Sequence, residues 1–512
     1  MASRREFNRL LAGAGVASGL GDWQGLLPLS PLDAQQQQLA PDLVRLRPYI
    51  EPLVLQIEQT PRGDCFAMML RELQRGLSYR HFLAALMLAG VRNVNPQPPG
   101  FKFHCVFVVQ SAHQLSLDAP AGDRLLPLFW VLDEFKKSQQ QDVDEGDFKL
   151  GPAPGKLPSA SKAWAEFHGA MQMWDELGAD RAITALVRTR GAREITEQLW
   201  KYGARDYRNI GHKPIFVANA IRTLETIGWR HAEPILRSLV LGLLDYGMDE
   251  RVNQYAFEDQ CFLSNEKRVG QLAATLPGGW AAGKADVART VELLEIMRSM
   301  ETENACQLAA DWLADGQAQA TCLWDAVHLA AGELMMRQPG IYGIHTVTSV
   351  NGLRYAFEQA GSPATRMLML LQAIGWMCQF TSFMTATKKG LGKQQITDLG
   401  KVDIAADPGD AVRQLLGDVG KDEQAAASQA FTLGLQDQHV DLLVAEARRL
   451  VFLKNTDAHG FKYPVAVFED YRRVSPAWRP HMLATATYYL CGSSRPDSPV
   501  MQRAREAVRQ LG

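Results

Sequence analysis

The 512-residue sequence predicts an all-α protein, a large multi-helix domain of packed helical hairpins around a central site. Three observations predict it. Apolar residues recur at steps of three and four along most of the chain, and paired helical stretches recur throughout without a fixed-period repeat. The most strand-like run, Val106-Phe-Val-Val109, lies in a segment whose length and helical neighbours favour helix. With 46% hydrophobic and 21% charged residues the chain can bury a sizeable core. A net charge of -2 gives no electrostatic reason to expect nucleic acid or an anionic membrane surface. The seven cysteines are scattered and lack C-x-x-C spacing, so neither a zinc knuckle nor a disulfide framework follows. Most, such as Cys105 and Cys378, lie in apolar helical context, where a thiol behaves as a small hydrophobe.

The chain opens with Ser3-Arg-Arg-Glu-Phe7 and the weakly apolar run Leu10 to Leu20, which resembles a twin-arginine export signal. Asn8 departs from the usual apolar residue, and no Ala-x-Ala cleavage site follows. The plainer alternative is an amphipathic first helix with a chance arginine pair. The signal implies residues 1–35 as an export segment, the twin-arginine machinery as a partner and a periplasmic location reached already folded. Residues 36–512 are then one large helical domain with an insertion around 388–421.

In order, helices are expected over 41–57 and 64–90, the second carrying Met68, Leu70, Leu73 and Leu77 at helical spacing. The proline-rich stretch 93–100 is a loop, and 100–113 is a helix. Residues 121–136 are helical, while 138–161 is polar, rich in Gly and Pro and irregular. Helices follow near 162–176, 179–188 and 192–203, and Pro214 suits the first turn of one running to about 227. His231-Ala-Glu-Pro234 opens another. Further helices span 287–300, 302–315, 319–337, 341–358 and 363–386. Arg366, Gln372 and Gln379 interrupt the last, so it reads as a buried helix and no stable membrane span is expected. The stretch 388–421 is irregular, and helices return at 422–435, 439–454, 464–472, 478–490 and 498–511.

Chemistry centres on Pro339 to Phe357. Ile341, Ile344, Val347, Val350 and Leu353 form the apolar stripe, while His345, Thr348 and Gly352 share a neighbouring face that resembles a cavity wall. Taken alone, a histidine here is more often a satisfied core residue. His104 and His113 are nine residues apart and point in opposite directions, so only one faces a given site. His212 sits at a helix start, which favours the neutral, metal-binding imidazole. His231 reads as a capping or packing residue. Asp325 and His328, one turn apart, suit a catalytic pair or a supporting hydrogen bond. His459 and Lys462 share a face at i and i+3, with a cap beside Asp457 and a solvated lysine tip as the plainer alternatives. A lysine becomes a ligand only when neutral or carboxylated, which requires a desolvated site.

Four of these segments, Gly100-Phe-Lys-Phe-His104, Gly211-His212 with Ala220 to Leu224, Ile344-His345-Thr-Val-Thr-Ser349, and Asp457-Ala-His459-Gly-Phe-Lys462, together resemble the questin oxidase-like family. The match keeps segment order over roughly residues 100 to 470. Asn219 stands where many bacterial relatives carry a second histidine. The resemblance implies a helical, oxygen-using oxidoreductase that oxygenates or cleaves a small aromatic or quinone-like substrate. It implies a mononuclear non-haem iron site ligated by His104, His212, His345 and His459, with Lys462, or its carbamate, as a further ligand. His345 and Lys462 stand as the catalytic residues; Asp325, Asp457 or backbone carbonyls would orient the imidazoles. Whether NADPH serves as reductant stays open. The rival reading is a non-enzymatic periplasmic binding or scaffold protein whose histidines are dispersed through the core. A third reading keeps the pocket and uses His and Lys as acid and base groups without metal.

Overall fold

The computed structural model describes residues 43–246, 257–299 and 301–510, and the twin-arginine pattern lies outside them. Among the described residues the backbone forms 22 α-helices and no strand, as the apolar periodicity predicts. The first ten are α1 (Glu51–Gln59), α2 (Cys65–Gln74), α3 (Tyr79–Asn93), α4 (His104–Asp118), α5 (Leu126–Glu145), α6 (Ala163–Met173), α7 (Glu176–Thr189), α8 (Ala192–Gly203), α9 (His212–Ile227) and α10 (Ala232–Leu243). The middle of the chain supplies α11 (Phe257–Leu272), α12 (Val287–Arg298), α13 (Thr302–Ala314), α14 (Ala320–Arg337), α15 (Ile341–Gln359) and α16 (Pro363–Ala386). Last come α17 (Pro408–Asp418), α18 (Glu423–Gly434), α19 (Asp437–Lys454), α20 (His459–Arg473), α21 (Arg479–Ala486) and α22 (Pro499–Arg509).

Several boundaries differ from the sequence expectation, each for a local reason. The single helix expected over 64–90 is two, because Gly76 turns at φ +95° and the Ser78 hydroxyl then caps α3 by accepting from the His81 N–H. Helix α1 starts at Glu51 rather than near 41. Helix α5 runs on to Glu145 through a stretch expected to be loop. Its polar residues Gln140 and Gln141 pair with Asp144 and Glu145 one turn on, and Gly146 at φ +146° ends it. Within 388–421 the Asp407 carboxylate accepts from the Asp410 N–H and starts α17, so that segment is not wholly irregular. Helix α20 begins at His459, five residues before the expected start, and carries Pro464 inside it. The run expected over 478–490 is the short α21 followed by a 3-10 turn.

Two features position the site. Helix α15 packs against α9, α14, α16 and α20, while α4 packs against α9 and α20, so α4, α9, α15 and α20 form a closed ring. Around it runs one continuous apolar core from Ile50 to Ala507. Helix α16 is long and apolar enough to cross a bilayer, yet 89% of its apolar window is buried inside the protein.

Candidate metal centre

Each helix of the ring brings one histidine to its centre. His104, His212 and His459 stand at the first position of α4, α9 and α20, and His345 lies one turn into α15. Tight left-handed turns deliver the first two. Gly100 has φ +127° and Phe101 φ +45°; Asn209, Ile210 and Gly211 run at +58°, +47° and +83°. A left-handed Ile is costly, and such strain gathers at functional sites. Both glycines are also close-packed. A Cβ at Gly100 would stand 3.1 Å from the His212 ring, and one at Gly211 would stand 2.6 Å from Ser349 Cβ. Gly340, at φ +130°, opens α15 in the same manner.

The hydrogen bonds fix the tautomers. His104 Nδ1–H donates to the Phe101 carbonyl at 2.7 Å, His212 Nδ1–H to Asn209 at 2.6 Å and His345 Nδ1–H to Ile341 at 2.6 Å. Carbonyls accept only, so in all three rings Nε2 is left with a lone pair. Those lone pairs face one another: His345 Nε2 lies 2.9 Å from His212 Nε2, which lies 3.2 Å from His104 Nε2. His459 joins them, and the ligand atoms of all four residues lie within 4.8 Å of one another. Its Nε2 has no hydrogen-bond partner, and its Nδ1 stands 3.6 Å from Asp457 Oδ1. The Asp457 carboxylate caps α20 by accepting from the His459 and Gly460 N–H groups at 2.8 and 3.0 Å.

Two neutral imidazoles cannot hydrogen-bond through two lone pairs; a shared cation resolves the repulsion. An ion with bonds of about 2.1 Å to neighbouring nitrogens at roughly 90° holds those nitrogens about 3.0 Å apart. The two shortest separations match that figure, and the four residues could together hold a metal ion.

Electrostatics agree with that donor set. Burial holds His104, His212 and His345 well below the ordinary imidazole range, the nearby Lys462 adding to it, and His459 is lowered by the same two causes. Burial also pulls the Lys462 ammonium down to about 7, partly opposed by Asp457. Its Nζ is buried without a hydrogen-bond partner. Lys462 lines a narrow inner space with Gln110, Asn219, Thr348 and Asn351, while His104, His212 and His459 line the outer cavity.

Outward lies a cavity of about 540 Å³. Pro99, Phe101, Ile210 and Ile341 give it apolar walls, and Phe101 and Ile341 are 75% and 42% exposed there. Glu134 of α5 also lines it, its carboxyl raised by burial against the pull of Lys137. The sequence reading missed Glu134. The available signal is its place one turn beyond Trp130, an acid on the buried stripe of α5.

The other candidates lie elsewhere. His113 hydrogen-bonds Tyr79 at 2.9 Å, and His231 packs against Tyr49 at 3.0 Å, the role expected of it. Asp325 does not orient an imidazole of the quartet; it accepts from the Ser475 N–H at 2.9 Å. His328 lies 3.6 Å from Asp470 in a separate buried polar cluster. Backbone carbonyls and Asp457 provide the orientation instead. The face expected as a cavity wall on α15 divides: His345 reaches the centre, Thr348 donates to the Ile344 carbonyl, and Gly352 admits the α9 backbone, where a Cβ would stand 3.0 Å from the Pro214 carbonyl oxygen. Ile341 leaves the buried stripe and faces the cavity. Dispersed core histidines, the pattern expected of a scaffold, are not what these four residues form. Comparison with protein-family models, curated proteins and solved structures returns no match, and the site is the chain's own evidence of chemistry.

Proposed function

We propose that the protein is an iron-dependent oxidoreductase that uses oxygen to oxygenate or cleave a small aromatic or quinone-like substrate. The observation that carries the metal is the set of three carbonyl-locked imidazoles whose Nε2 lone pairs converge. Four neutral nitrogens and few carboxylates argue against magnesium or calcium and suit a first-row transition ion. Iron bound there would supply redox chemistry and an open coordination position for oxygen or a substrate oxygen. The resemblance of the four histidine segments to the questin oxidase-like family supports the reaction class.

The chain's own residues have separable tasks. Phe101, Ile210 and Ile341 offer flat apolar surface to a ring system at the cavity mouth. Glu134, raised by burial, is suited to exchange a proton with a substrate hydroxyl in that cavity. His104, His212, His345 and His459 hold the ion. Lys462, near neutrality at pH 7, is a further ligand as the amine or, after adding carbon dioxide and releasing a proton, as its carbamate. The Ser3-Arg-Arg-Glu-Phe7 pattern supports delivery to the periplasm by the twin-arginine machinery.

The test is elemental analysis of protein purified from its native host. The expected outcome is close to one iron per chain, lost in His345→Ala. Absence of stoichiometric iron, or full retention of iron by His345→Ala, would overturn the proposal.

A further inference from the structure

Away from the histidine centre, α11, α13 and α16 meet at a second polar cluster inside an apolar region. Cys261 of α11 and Cys306 of α13 point at the same spot beside Gly375 of α16. A side chain there would collide with Cys261 Sγ and stand 3.1 Å from Cys306 Sγ, so the glycine leaves room for two sulfurs. One amide serves both. Asn265 Nδ2 lies 3.4 Å from Cys261 Sγ and 3.6 Å from Cys306 Sγ, while its other N–H is taken by Gln372 Oε1 at 2.9 Å. The Asn265 carbonyl oxygen accepts from Arg268 Nη1 at 2.7 Å, so a guanidinium polarises the amide that donates to the sulfurs.

This setting differs from that of an inert core thiol. Cys105 and Cys378 are buried in apolar surroundings that push the thiol up. Cys261 Sγ donates to Gln372 Oε1 at 3.3 Å and Cys306 Sγ to the Leu371 carbonyl at 3.4 Å, and Cys306 is lowered instead by its contacts with Cys261 and then Asn265. Cys261 is raised well above the ordinary thiol range by its contact with Cys306 and by burial.

We propose that Cys261 and Cys306 are a redox-active dithiol that a small peroxide converts to an intramolecular disulfide joining α11 to α13. The Cys306 thiolate attacks one peroxide oxygen, breaking the O–O bond and expelling hydroxide, and leaves a sulfenic acid. Cys261 Sγ then attacks the Cys306 sulfur, forming the S–S bond and expelling hydroxide, which leaves as water with the thiol proton. In sum, two thiols are oxidised and hydrogen peroxide is reduced to two waters. Both residues are buried, which excludes bulky oxidants.

The full-length protein, exposed to hydrogen peroxide and alkylated after unfolding, should carry two fewer alkyl groups than the untreated chain alkylated in the same way. Non-reducing peptide mapping should find Cys261 joined to Cys306, with the loss reversed by a dithiol reductant. Cys306→Ser should abolish it. Unchanged mass, oxygen addition without cross-linking, or a bridge between any other pair would overturn the proposal. Every overturning outcome is read from the wild-type chain, so folding of the variant does not decide the result.

Discussion

The carbonyls of Phe101, Asn209 and Ile341 decide which nitrogen of each imidazole remains free to act. Because each ring gives its Nδ1–H to its own chain three or four residues back, the choice is made by local backbone and survives loss of the metal. Lys462 is set differently, by burial that outweighs the pull of Asp457, and that has a measurable consequence. Its folded value of about 7 lies below the ordinary 10.5. Below pH 7 folded and unfolded chains both carry the charge, and the folded chain bears the cost of burying it. Between those values the unfolded chain holds a proton that the folded chain has released, so stability rises with pH. Denaturant unfolding of metal-free protein at pH 7 and pH 10 should show a gain on the order of a few kcal/mol in wild type that Lys462→Met lacks. Parallel profiles for the two proteins would assign the pH dependence to other groups.

At the scale of helices, the 2.9 Å approach of His212 and His345 depends on how closely α9 and α15 lie. Gly352 sets that spacing, since a Cβ there would stand 3.0 Å from the Pro214 carbonyl oxygen. Gly352→Ala is expected to part the helices, costing about 1–3 kcal/mol by overpacking. Iron affinity should fall with it, although the substitution touches no ligand; calorimetric titration with ferrous ion under anaerobic conditions checks this. Helices were legible in the sequence where apolar residues mark one stripe, as along α15 and α16. Helix α11 is hidden in the sequence because its buried face carries Asp259, Asn265 and Arg268 among Cys261, Phe262 and Val269, so hydrophobic period is blurred by paired polar groups. Helix α5 was cut short because its last turns are held by side-chain amide pairs, which resemble a polar linker in a linear reading. The histidine quartet was legible only through the four segments that together resemble the questin oxidase-like family, since each histidine alone reads as a core residue or a cap. Glu134 was not, since nothing in its local pattern tells a cavity from a core.

Across the whole molecule, the quartet ties together residues 104 and 459 of a described span that runs from 43 to 510. A bound ion therefore acts as a cross-brace among four helices distant in sequence. Ligand binding restricted to the folded state adds roughly 2.7 kcal/mol when free ligand is a hundredfold above its dissociation constant. Treatment with a strong chelator should accordingly lower the melting temperature by several degrees, with recovery on adding ferrous ion and none in His345→Ala. A melting temperature indifferent to chelation would place the ion outside the fold's stability.

The buried helix α16 also bears on how the chain is born. As it emerges during synthesis, Pro363–Ala386 is a lipid-compatible peptide that an insertion apparatus sorting segments by hydropathy would be prone to divert sideways into a bilayer. Most of its partners, α11 to α15, have been synthesised by then, so prompt docking onto them hides it. The order of the helices along the chain thus guards against misdelivery.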